Sequence, residues 1–243
     1  MTDLKKHDHS HHPDAIAERL AIGPKINYLR DWVYGGIDGA ITTFAIVAGV
    51  VGANMSTRVV LILGAANLLA DGFSMAAANY SGTKTEIDDY NRLRRIEERH
   101  IDLFPEGERE EMRQIYRAKG FEGEDLENMI EIATSSKDHW IDFMMVEEHG
   151  LALVQRSPLI SGIVTFIAFC VCGFVPLIPF IIGLPASPIA ATIMTGFVFF
   201  IIGSLKSKWS TQKWYMSGLE TLAIGLIAAG MAFGIGDLLG RFI

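Results

Sequence analysis

Cysteine is almost missing from this chain: among 243 residues there are two, Cys170 and Cys172. They lie two apart inside an apolar run, which points them to different helix faces, so no disulfide framework is implied and helix packing is their reading. The start, MTDLKKHDHSHH, lacks the apolar core and small-residue cleavage site of a signal peptide. The first apolar run is therefore expected to act as its own insertion signal. No internal repeat is visible, and no nucleic-acid partner is expected.

Half of the chain is hydrophobic, yet it carries 28 acidic side chains. The conflict disappears once the acids are located, because nineteen of them fall between Lys84 and Arg156 and the apolar runs flank that segment. Five runs approach or exceed the ~17–20 residues that span ~30 Å of hydrocarbon: residues 32–54, 59–81, 159–184, 188–205 and 215–238. The expected fold is an all-α membrane protein with five transmembrane helices and a three-helix insert between helices 2 and 3. It divides into an N-terminal arm (1–30), spans one and two (31–83), the insert (84–157) and spans three to five (158–243).

Lys and Arg set the orientation. The arm (Lys5, Lys6, Arg19, Lys25, Arg30), the insert and the loop with Lys206, Lys208 and Lys213 share one face, and the other keeps Arg58 and Arg241. The positive-inside rule puts the insert and N-terminus in the cytoplasm. Short loops and the lack of an organelle signal suggest a bacterial inner membrane, though a vacuolar membrane would satisfy the same physics.

The most informative run is the second, VVLILGAANLLADGFSMAAANY, where Asn67, Asp71, Met75 and Asn79 recur every four residues and share a helix face. A carboxylate in hydrocarbon costs about 3 kcal/mol on the lenient insertion scale, and it persists mainly where water, an ion or a partner meets it. No Lys or Arg lies at the depth of Asp71 in any run. The first run carries Asp38 with Thr42 four residues later, and the turn MSTR makes the two runs an antiparallel hairpin, so Asp38 can approach the stripe. A titrating Asp there would let metal and proton compete for one site. Taken alone, Asp38 could also snorkel to the interface. Glu220 in the fifth run either faces the pathway or lies at headgroup level.

In the insert, Pro105 and the Gly120/Gly123 pair predict helices near 84–103, 106–119 and 124–155. The last restarts at Ser135 or Ser136, with Ser135 and Asp138 as a capping pair, and runs toward span three. Glu97 and His100 share one helix face, Glu108 and Glu111 another, and Glu148 follows Met144 by four. Carboxylate, imidazole and thioether suit first-row divalent ions over Mg²⁺ and Ca²⁺. Chance pairs on a solvated Glu-rich helix give the same spacing. The tract His7, His9, His11 and His12 could gather metal or be a plain polar tail.

The runs DWVYGGIDGAITTFAIVAG, NLLADGFSMAAANYSGTKTE, WIDFMMVEEHG and GFVPLIPF, in order over residues 30–238, resemble the vacuolar iron transporter family. The resemblance implies a homodimer with its pathway at the subunit interface. It also implies export of Fe²⁺, often also Mn²⁺, from the cytosol in exchange for protons, with no resident cofactor. Asp38 and Met75 match the family's pathway residues, and Glu97, Glu108, Glu111, Glu148, Met144 and Met145 match its metal-gathering positions. Two departures stand out: plant members carry a glutamate where this chain has Asn67, with Asp71 one turn on, and a glutamate where it has His100. The expected function is a proton-coupled divalent-metal exporter and no enzyme. A membrane-anchored metal buffer or sensor, or a di-iron ferroxidase built on Glu97-x-x-His100, are the competing readings. The ferroxidase would need a second E-x-x-H, which the insert lacks.

Overall fold

The computed structural model describes residues 10–23 and 26–242, all helix, turn or coil with no strand among them. Lys5, Lys6, His7, His9 and Lys25 lie outside the described residues. The helices are α1 (Pro13–Ile22), α2 (Leu29–Gly52), α3 (Thr57–Leu103), α4 (Pro105–Ala118), α5 (Gly123–Thr134) and α6 (Lys137–Glu147). There follow α7 (Pro158–Phe174), a 3₁₀ turn, α8 (Ile178–Ile181), α9 (Ser187–Lys206) and α10 (Trp214–Gly240). Five helices, or helices continued through a 3₁₀ turn, are long and apolar enough to cross a membrane: 29–52, 57–103, 158–181, 187–209 and 214–240. Pro176 and Pro179 produce the 3₁₀ turn at the end of the third, since each removes a helical N–H.

The chain forms two compact units: residues 89–155 with the described N-terminal arm, and residues 28–88 with 156–242. In the second, α2 is the hub. Its Ala40, Phe44, Val47 and Val50 pack with Val60 and Leu68 of α3, Phe169 and Cys172 of α7 and Phe199 of α9. In the first, Ile101, Met112, Tyr116, Leu126, Ile130, Trp140, Ile141, Met144 and Met145 enclose an apolar core. Tyr116 stacks on Phe143 at 5.0 Å and the Arg109 guanidinium lies 5.2 Å above Trp140.

Several sequence expectations need correction. The helix expected over 124–155 is two helices, and α6 ends at Glu147, so no helix continues from the insert into α7. Residues 148–157 are irregular because Gly150 adopts φ +66° and Pro158 needs an extended predecessor. The Ser135–Asp138 capping pair does not form. Ser135 closes α5, its hydroxyl donating to the Ile132 carbonyl at 2.7 Å, and Ser136 takes the N-cap position of α6 without a side-chain cap. The insert thus holds three separate helices besides the end of α3. The continuity expected at its other edge is present: α3 runs unbroken for 47 residues.

Candidate functional site

Within the insert, α3 supplies Glu97 and His100, α4 supplies Glu108 and Glu111, and the turn after α6 supplies Glu148 and His149. Glu97 and Glu108 are the buried acids, 2% and 4% exposed. Burying a carboxylate is costly unless something meets it. Here imidazoles do: His149 Nε2 lies 3.0 Å from Glu97 Oε1 and 3.9 Å from Glu148 Oε2, and His100 Nδ1 lies 3.3 Å from Glu108 Oε1. The second oxygens, Glu97 Oε2 and Glu108 Oε2, have no hydrogen-bond partner. Two trios have ligand atoms within 4.8 Å of one another, Glu97/Glu148/His149 and Glu97/His100/Glu108. Met144 and Met145 are fully enclosed in the core beside this cluster's helices.

Crowded carboxylates resist ionisation. Burial first, then the charges of Glu111, Glu97 and Glu148, push Glu108 from the ordinary 4.5 up to about 7. Burial and the charge of Glu97 raise Glu148 as well. A raised folded value means that the Glu108 contribution to stability is fully present below about pH 4.5 and is lost as pH rises through about 7. Metal-free protein should therefore melt several degrees lower at about pH 8 than at about pH 5, and Glu108→Gln should shrink that difference. Thermal unfolding followed by circular dichroism at the two pH values checks it.

In the other unit, the α2–α3 hairpin has a definite register. Asn67 Nδ2 donates to Thr42 Oγ1 at 3.2 Å and Thr43 Oγ1 at 3.4 Å, and Asn79 Nδ2 donates to Asp31 Oδ1 at 2.9 Å. Carried between these contacts, the register sets Asp38 opposite Asp71, close enough for their charges to interact. Thr42 in turn donates to the Asp38 carbonyl at 2.9 Å. Met75 packs, half-buried, on the core, while Asp71 is exposed. The four-residue stripe is thus divided. Asn67 and Asn79 are taken up by neighbouring helices, Asn79 also donating to Thr165 Oγ1 at 2.7 Å, and Asp71 alone stands open. Glu220 is exposed and paired with Lys206 at 3.8 Å.

Two groups escaped the sequence reading. His149 follows the end of α6, where helical spacing says nothing; Gly150 with φ +66° and the Leu151 N–H donating to the Met145 carbonyl at 2.9 Å form the turn that brings it back to Glu97. The Glu148–His149–Gly150 order was the available signal. The second is an ion pair: Asp31, 2% exposed, holds Arg156 Nη1 at 3.0 Å, beside a cleft of about 370 Å³ that Glu86, Thr83 and Tyr34 also line.

Five membrane-length helices and, among the described residues, a cluster of carboxylate and imidazole side chains define a multi-pass integral membrane protein with a candidate divalent-metal centre. The chain belongs to the VIT family, which matches residues 29–237. Relatives include the vacuolar iron transporter of Toxoplasma gondii, 38% identical over 88% of this chain and 74% of the relative. That of Plasmodium berghei is 34% identical over 96% and 89%, and vacuolar iron transporter 1 of Arabidopsis thaliana is 34% identical over 84% and 83%. These are eukaryotic proteins, and the expectation of a bacterial inner membrane finds no support among them.

Proposed function

We propose that the chain exports divalent metal, Fe²⁺ ahead of Mn²⁺, from the cytosol in exchange for protons. The observation that carries this reading is the pair of buried carboxylates, Glu97 and Glu108, that each turn an oxygen away from any imidazole and lie among the donors His100, Glu148 and His149. Without metal, imidazole and a proton shared by the two acids meet these carboxylates, and a cation would take that place, which is what a cytosolic collecting domain requires. The family's named iron transporters favour transport over a buffer, a sensor or a ferroxidase. Asp38, Asp71 and Met75 are the proposed path through the membrane, with Glu111, Met144 and Met145 completing the collecting site.

A homodimer fits the same reading. Ala66, Ala70, Ser74, Ala77, Ala78 and Ser81 give α3 an exposed strip of small residues around Asp71, the surface on which membrane helices approach closely. Left to lipid, Asp71 would cost about 3 kcal/mol, whereas a second copy would enclose it in a path.

Proteoliposomes loaded with a metal-sensitive dye and given a pH gradient test the proposal. Fe²⁺ flux should follow the gradient in the wild type and fall to background in Asp38→Ala, while metal binding by the insert persists. Flux that ignores the gradient, or full activity in Asp38→Ala, would overturn the coupling.

A further inference from the structure

We infer that His149 is a metal ligand, and that it makes the insert a two-ion centre in which Glu97 is shared and each ion has one imidazole. The inference rests on reading the insert as the place where metal is collected, and it adds which ions that place prefers. His149 with Glu148 serves one ion and His100 with Glu108 the other, and Glu97 belongs to both trios.

The geometry fits. Ligands on one ion at bond lengths of about 2.1 Å stand roughly 3.0–3.4 Å apart. His149 Nε2 is 3.0 Å from Glu97 Oε1, and His100 Nδ1 is 3.3 Å from Glu108 Oε1. The simpler reading is that each pair is a structural bond holding helices together. That reading leaves Glu97 Oε2 and Glu108 Oε2 without a donor from either imidazole, buried with only a proton shared between the two acids to meet them. An ion beside each imidazole, in place of that proton, gives each carboxylate a cation, with Glu97 between the two.

Imidazole sets the preference. Mn²⁺ stands at the weak end of the divalent series and takes oxygen ligands readily, whereas Fe²⁺, Co²⁺ and Zn²⁺ gain more from nitrogen. Two imidazoles, one per ion, therefore tilt this insert away from Mn²⁺, and removing one should level the difference on one ion alone.

The test uses the full-length protein in detergent with His7, His9, His11 and His12 changed to Gln, so that the N-terminal tract cannot compete. Zinc X-ray absorption at saturation should show about one imidazole per ion. His149→Gln should halve that signal and weaken Zn²⁺ binding at one of two sites on the order of 10-fold, with Mn²⁺ affinity nearly unchanged. Unaltered Zn²⁺ binding and imidazole signal in His149→Gln would overturn the inference, as would an equal loss for Mn²⁺. If His149→Gln loses its helical circular dichroism, the imidazole count of the unmutated protein decides, and zinc bound by oxygen alone overturns the inference. Failure of the unmutated protein to bind either metal would instead overturn the collecting role itself.

Discussion

Arg156→Ala is expected to lower stability by about 3 kcal/mol, the scale set by stripping one partner from a buried ion pair. Asp31 is 2% exposed and receives Arg156 Nη1 at 3.0 Å on one oxygen and 3.3 Å on the other, with Asn79 Nδ2 at 2.9 Å. Removing the guanidinium leaves a carboxylate in the first turn of α2 with one amide for company. Arg156 also reaches Glu86 Oε2 at 3.7 Å, and the next residue, Ser157, donates its N–H to the Tyr28 hydroxyl at 3.0 Å. One contact set thus ties the start of α7 to α2 and α3. The loss should appear as a large drop in the thermal unfolding midpoint of the detergent-solubilised protein. Asp31→Asn combined with Arg156→Ala should recover more than half of it, because the uncompensated charge is then gone. A double variant no more stable than Arg156→Ala would show that the cost lies in lost packing.

That pair marks the limit of what the sequence could tell. The all-helical class and the helices of membrane length on either side of an acid-rich segment were readable because hydrocarbon tolerates few charges, so nineteen acids crowded between two apolar runs admit few arrangements. That Glu97 and His100 share one helix face was readable from the helical period. The closeness of Asp38 and Asp71 followed from a four-residue turn that fixes an antiparallel register. Asp31 and Arg156 are separated by 125 residues, and Asp31 stood just outside the expected first span, so no local rule joined them. His149 was hidden for a different reason: its place is set by a glycine turn past the end of α6, and spacing rules apply only inside a helix. The break at Ser135 and Ser136 was seen, but the stop at Glu147 was not, because the following HGLALV lacks a proline until Pro158.

The second large effect concerns how closely α2 and α7 approach. A Cβ built on Gly39 would stand 2.3 Å from the Phe169 carbonyl oxygen and 2.8 Å from that residue's Cα, and one on Gly35 would stand 2.3 Å from the Thr165 oxygen. These neighbours are backbone, so no side chain can swing aside and the helices themselves must part. Close approach of this kind is how membrane helices gain dispersion contact when no hydrophobic drive separates them from lipid. Gly39→Ala adds a single carbon, yet it should cost about 3 kcal/mol, the upper part of the overpacking range. The displaced helix carries Asp38 with it, so transport in proteoliposomes should fall together with the unfolding midpoint. Gly234→Ala on α10 is the matched control: nothing lies within 4 Å of its added carbon, and alanine is the better helix former by about 1 kcal/mol. It should be neutral or stabilising. Equal unfolding midpoints for Gly39→Ala and the wild type would mean that α2 and α7 are not in backbone contact, and the hub position of α2 would fall with it.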